Sequence, residues 1–153
     1  MLVALNLYLG ADYQGYTGFE SYFRRLREPE RIPYDVAEAV IASNYPIDKA
    51  GAKTVLAKML YQGALVNALM LTFPNAKLSD ALGVSSEDLE WFKGHEAEIW
   101  DSIITRNLLY SQSDMDAAKL LSPAPATTII NHDAPGRAGR YIGYRIVKAY
   151  MDR

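Results

Sequence analysis

The stretch Gly139-Arg140-Tyr141-Ile142-Gly143-Tyr144-Arg145-Ile146-Val147-Lys148-Ala149-Tyr150 carries the most regular pattern in the chain. Gly139, Ile142, Gly143, Ile146, Val147 and Tyr150 recur at the spacing of one buried stripe on an α-helix. Each glycine inside a helix costs about 0.5–1 kcal/mol relative to alanine. What offsets that cost is room for a neighbouring helix to approach backbone to backbone. The pattern predicts a helix that begins near Pro135 and continues to the end of the chain.

A second segment answers to the first. Val55, Met59, Leu60, Gly63, Val66, Met70 and Leu71 recur at helical spacing, with Asp48 placed to cap the helix and Pro74 beyond its end. Residues 55–73 are long and apolar enough to raise the question of a membrane span, yet Lys58, Gln62 and Asn67 interrupt them. A lysine near the middle of a span costs about 2.5–3.5 kcal/mol on insertion scales. A buried core helix, with no transmembrane helix in the chain, is the expectation.

Working outward, residues 19–26 and 34–43 read as helices, separated by Pro29 and Pro33. Ser85-Ser86-Glu87-Asp88 reads as a capped N-terminus, and Leu89, Phe92, Ile99, Trp100, Ile103 and Ile104 follow on adjoining faces. Residues 113–121 form a further short helix, capped by Ser113 or Asp114, and residues 122–130 a Pro/Thr loop too short for a domain linker. The apolar run 2–9, closed by Gly10-Ala11-Asp12, reads as a short strand without a partner in the chain. Such an edge is open to pairing with a second copy, and a homodimer is the corresponding expectation. The fold class is mainly α: a compact multi-helix bundle with a short N-terminal strand, in one domain over residues 1–153.

Composition bounds the chemistry. With 153 residues, half of them hydrophobic, the chain can bury a real core. A net charge of -2 gives no electrostatic reason to expect nucleic acid. Arg24, Arg25, Arg27 and Arg31 alternate with Glu20, Glu28 and Glu30, the pattern of a solvated helix face. The absence of cysteine excludes disulfides, thiolate zinc sites and thiol catalysis, and fits cytosol and periplasm equally. The first five residues carry no basic start of a signal peptide.

Catalytic motifs are incomplete. His95-Glu96 has the opening of a zincin helix, but the position one turn after His95 is Ile99, which has no atom to give a metal. His132, the only other histidine, sits in a loop beside Asp133 and reads as a solvated histidine or a ligand contact. No Gly-x-Ser-x-Gly turn and no glycine-rich phosphate loop is present. Arg137, Arg140 and Arg145 near the last helix read as helix-surface charge, with an anion site as the alternative. No cofactor and no metal is assigned.

Several pieces, in order, resemble the gliding-motility protein GldB family. They are Leu5-Asn6-Leu7-Tyr8-Leu9-Gly10 with Asp12-Tyr13 and Tyr16, and Thr54-Val55-Leu56 with Met59-Leu60-Tyr61-Gln62-Gly63. Glu90-Trp91, Glu96, Ile99-Trp100 and Leu108-Leu109-Tyr110-Ser111 follow. Ala124-Pro125, Pro135-Gly136-Arg137, Gly139, Gly143-Tyr144-Arg145-Ile146-Val147 and Tyr150-Met151 close the series. The resemblance implies the C-terminal portion of a longer, lipid-anchored protein of the bacterial cell envelope, associated with gliding motility and type IX secretion and acting through protein contacts.

The family's distant likeness to zincin peptidases implies a lost metal site. Aligned on that likeness, Ala37 and Ile41 stand where histidines would be, Gln62 where a ligand glutamate would be, and Glu38 alone survives as the former general base. Glu38 and Gln62 are thus the candidates for a degenerate catalytic site, and Tyr61, His132, Arg137 and Tyr144 the candidate binding residues. Two alternatives stay open. One is a residual zinc-dependent hydrolase with ligands upstream or at His132. The other is a small-molecule binding domain with a cleft between the Gln62 helix and the C-terminal helix, holding Glu38, Gln62 and Tyr144.

Overall fold

Two glycines at one level bring the two longest helices together. The computed structural model describes residues 3–48, 50–123 and 129–153. In it α3 (Val55–Thr72) and α8 (Ala138–Met151) form the central pair of eight α-helices among the described residues. A Cβ on Gly63 would collide with the carbonyl group of Gly143, and one on Gly143 with the Met59 carbonyl. The backbones therefore touch. One turn earlier on α8, a Cβ on Gly139 would stand 2.9 Å from the Leu120 Cβ of α7 (Asp114–Leu121), so α7 seats itself on that second glycine.

The remaining helices wrap this pair. In chain order they are α1 (Ser21–Arg25), α2 (Ile32–Asn44), α4 (Leu78–Leu82), α5 (Ser86–Gly94) and α6 (Glu96–Thr105). α2 and α4 pack on α3, α7 bridges α3 and α8, and α5 links α4 to α6. The core gathers Val55, Met59, Val66 and Leu69 from α3 and Phe92, Ile99, Ile103 and Leu120 from its neighbours, all wholly enclosed. Phe92 stacks on Tyr141 with centroids 5.2 Å apart.

The helix expected at Asp48 starts later. Asp48 accepts from the Ala50 N–H in a local turn, while Thr54 caps α3 through its hydroxyl to the Ala57 N–H. The N–H groups of Val55 and Leu56 donate to the carbonyls of Ser111 and Leu109, which satisfies donors that a helix leaves open at its start. The capping box at Ser85 and Asp88 is present as expected, and Ser113 caps α7. The helix that follows Ser85 is broken at His95, whose backbone leaves helical geometry, into α5 and α6. α8 begins at Ala138, and its burial ends early: Tyr150 is 73% exposed.

The N-terminal strand is not formed. Leu5–Leu7 is a 3-10 turn, and no strand occurs among the described residues. Tyrosine side chains hold this segment in place of a sheet ladder. The Tyr16 hydroxyl donates to the Asn6 carbonyl and accepts from the Leu9 N–H, and the Tyr8 hydroxyl donates to Asp35 on α2. The sheet edge expected to pair with a second copy is therefore absent. α4 is an element the hydrophobic pattern was too short to announce. Of the expected loop 122–130, residues 124–128 lie outside the described residues.

Gly143→Ala should lower unfolding stability by at least about 3 kcal/mol, because a methyl group must force two backbones apart. Gly94→Ala, whose Cβ would meet nothing within 4 Å, should be neutral or stabilising by up to about 1 kcal/mol. Urea unfolding followed by tryptophan fluorescence measures both.

Candidate functional site

The glycine contact decides what lies beside it. Gln62 precedes Gly63 on α3, and Arg140 lies one turn before Gly143 on α8, so bringing the glycines together faces these two polar side chains. Arg140 is only 5% exposed. Its Nη1 donates to Glu38 Oε1 at 3.0 Å and to Gln62 Oε1 at 3.1 Å. Its Nη2 donates to Glu38 Oε2 at 2.7 Å and to the Ala81 carbonyl at 3.2 Å. The Nε is buried without a partner. One guanidinium thus ties α2, α3, α4 and α8, with the two-pronged geometry that favours arginine over lysine.

The Ala81 bond belongs to a larger arrangement at the C-terminal end of α4. Arg137 Nη1 donates to the Leu82 carbonyl at 2.8 Å and the Gly83 carbonyl at 3.2 Å, and Arg31 donates to the Asp80 carbonyl. Three arginines therefore converge on carbonyls at the end of α4, its partially negative pole, where the Asp80 carbonyl also accepts from the Gly83 N–H. Gly83 ends α4 at φ +71°, and its neighbour Arg137 itself sits at φ 69°, in the left-handed region that non-glycine residues rarely adopt. Arg31 also pairs with Asp35 at 2.8 Å. Asp35 and Glu38 are the carboxylates paired with this group of three guanidiniums.

The electrostatics follow from that count. Burial pushes the Glu38 pKa up, but the hydrogen bonds and charge of Arg140, backed by Arg137 and Arg31, outweigh it and hold the carboxyl below its ordinary value. Burial lowers the Arg137 pKa to about 10, with repulsion from Arg140 and Arg31 adding to it and Glu38 and Asp35 opposing. Glu38 is therefore a weak base whose two oxygens are both engaged. General-base work asks for the opposite, a free carboxylate with a pKa near the working pH.

Of the residues singled out from the sequence, Glu38, Gln62 and Arg137 come together around the end of α4. Tyr61 stands beside Gln62 on α3 but outside the arginine cluster: it lines a groove that Gln62 also borders and donates to the Tyr45 carbonyl at 3.1 Å. Tyr144 is buried in α8, and His132 is exposed in its loop, away from the cluster. The cleft expected between the Gln62 helix and α8 is closed by the glycine contact. His95 stacks on Trp91 at 4.2 Å, and Glu96 accepts from the Tyr141 hydroxyl and Arg145. Among the described residues no three His, Asp or Glu side chains are grouped to hold a metal ion.

Sequence reasoning placed Arg140 on the helix surface, and it is the hub. One signal was available: Arg140 lies one residue after Gly139 and one turn before Gly143, at the edge of the buried stripe.

Comparison with known proteins matches residues 1–153 to the family described as gliding motility protein GldB, whose model is labelled a lipoprotein family. The chain belongs to that family. No curated protein and no solved structure matches it.

Because the folded-state pKa of Glu38 is depressed, its stabilising contribution is complete above the ordinary value of 4.5 and disappears as pH falls through the lower folded value. Glu38→Gln should cost about 1–3 kcal/mol at neutral pH, and should flatten the acid limb of the stability profile below about pH 4.5. Arg140→Met, which strands a partly buried carboxylate, should cost up to about 3–5 kcal/mol. Urea midpoints collected across the acid range check all three.

Proposed function

We propose that this GldB-family chain is a non-catalytic protein of the bacterial cell envelope, of the gliding-motility and type IX secretion class, that acts through protein contacts. In this reading its helices are a zincin-like scaffold in which a guanidinium has taken the place of the metal. One observation carries the proposal: both oxygens of Glu38 and the oxygen of Gln62 turn onto Arg140, a cation that belongs to the chain itself.

A zinc ion does not fit these residues. Ala37 and Ile41 offer no donor atom, and the oxygens of Glu38 and Gln62 are committed to a guanidinium that would repel a second cation. Glu38 then pairs with the guanidinium that ties four helices instead of activating water. Exposed Tyr13 and Phe19, joined through ring contacts with Tyr16 and Phe23, supply a contiguous apolar surface of the kind partners cover.

The test separates a structural glutamate from a catalytic one. In a gliding host lacking its own copy, the full-length protein carrying Glu38→Gln should restore colony spreading at or near the wild-type extent, since glutamine still accepts from Arg140. Loss of a general base ordinarily costs 10²-fold or more. A folded Glu38→Gln protein, with native circular dichroism and unchanged abundance, that restores no spreading would overturn the proposal in favour of a hydrolase.

A further inference from the structure

Gln62 has two ends, and the Arg140 cluster uses one. A guanidinium carries donors only, so the amide must turn its oxygen toward Arg140, as it does at 3.1 Å. The NH2 end is then the one left over, and no hydrogen bond within the described residues engages it. Gln62 is half-buried, and it lines a groove of about 600 Å³ between α3 and the segments that precede α3 and α7. The ion pair at the oxygen end thus fixes which end of the Gln62 amide is left to the groove.

The groove around that amide favours an anion. Lys53 stands on its wall without an ion-pair partner among the described residues, and Lys58 is paired with Asp114 at 2.6 Å. The charges of these three leave the wall net positive. Ile47, Ala52 and Leu121 supply an apolar floor. A volume of this order is that of small-molecule sites, in which a few placed polar groups orient an apolar body.

We infer that this groove binds an organic carboxylate, its anionic end taken by the Gln62 NH2 and Lys53 and its apolar body laid on Ile47 and Leu121. Arg140 is a positioning residue in this scheme, because it holds the amide in the donating orientation. The inference does not depend on whether the protein is catalytic. A free organic acid and the C-terminal carboxylate of a peptide present the same chemistry.

Isotope-labelled protein titrated with 4-phenylbutyrate tests it, read from the Gln62 side-chain NH2 resonances. The peptide Ala-Leu-Phe, with free or amidated C-terminus, tells the two sources apart. The acid should move the Gln62 NH2 and Tyr61 resonances, and the neutral 4-phenylbutyramide should bind about tenfold more weakly or not at all. Gln62→Glu gives Arg140 a carboxylate in place of the amide oxygen while replacing the groove-facing donor with an acceptor. It should weaken binding of the acid by about tenfold or more, the range expected for losing a charge-assisted hydrogen bond. Lys53→Met, on an exposed side chain that no packing depends on, should weaken it several-fold. The inference is overturned if the Gln62 resonances stay still, if acid and amide bind alike, or if neither variant changes the affinity.

Discussion

Gly63 on α3 and Gly143 on α8 hold the fold to one solution. Helix axes normally stand 8–10 Å apart according to the side chains between them. Here no side chain stands between the two helices at the point of contact, and each glycine fits against the other helix's backbone. This closeness sets the position of everything one turn away. Gly139 receives α7, and Arg140 is driven against Gln62 and into reach of α2 and α4. Two residues that weaken isolated helices thereby position the charged centre of the protein.

That centre works by constraint more than by net energy. A buried ion pair gains little over apolar packing, because desolvation consumes most of the Coulomb attraction, but removing one partner leaves a charge with nothing to compensate it. Arg140 bonds from α8 to three other helices at once, so a shift in any one of them strands part of the guanidinium. The crowding of Arg31 and Arg137 nearby is tolerated because the carbonyls at the end of α4 and the carboxylates of Asp35 and Glu38 share the charge. For a protein that belongs to a gliding-motility family, this is a centre built to stay fixed.

The helical pairing was legible in the sequence where spacing alone decided it. Glycines inside the otherwise regular 139–150 pattern announce a close approach, and Gly63 lies inside the long apolar helical pattern of residues 55–73. Features settled by distant partners were not legible. Asp48 is as good a cap by type as Thr54, and what decides between them is a pair of carbonyls at Leu109 and Ser111, far along the chain. The apolar run at the N-terminus has the composition of a strand, yet hydroxyls of Tyr8 and Tyr16 tie it down as a 3-10 turn. Glu38 and Gln62 entered through family resemblance, and their meeting place was hidden because an arginine on an amphipathic helix ordinarily faces water.

The most direct test lies at the glycines. If the two helices meet backbone to backbone, the Hα protons of Gly63 and Gly143 are in van der Waals reach, and NMR of the folded protein should show a strong nuclear Overhauser effect between them. An absent cross-peak, with effects at that level running only between side chains of the two helices, would mean that α3 and α8 stand apart and that Arg140 is not placed as described.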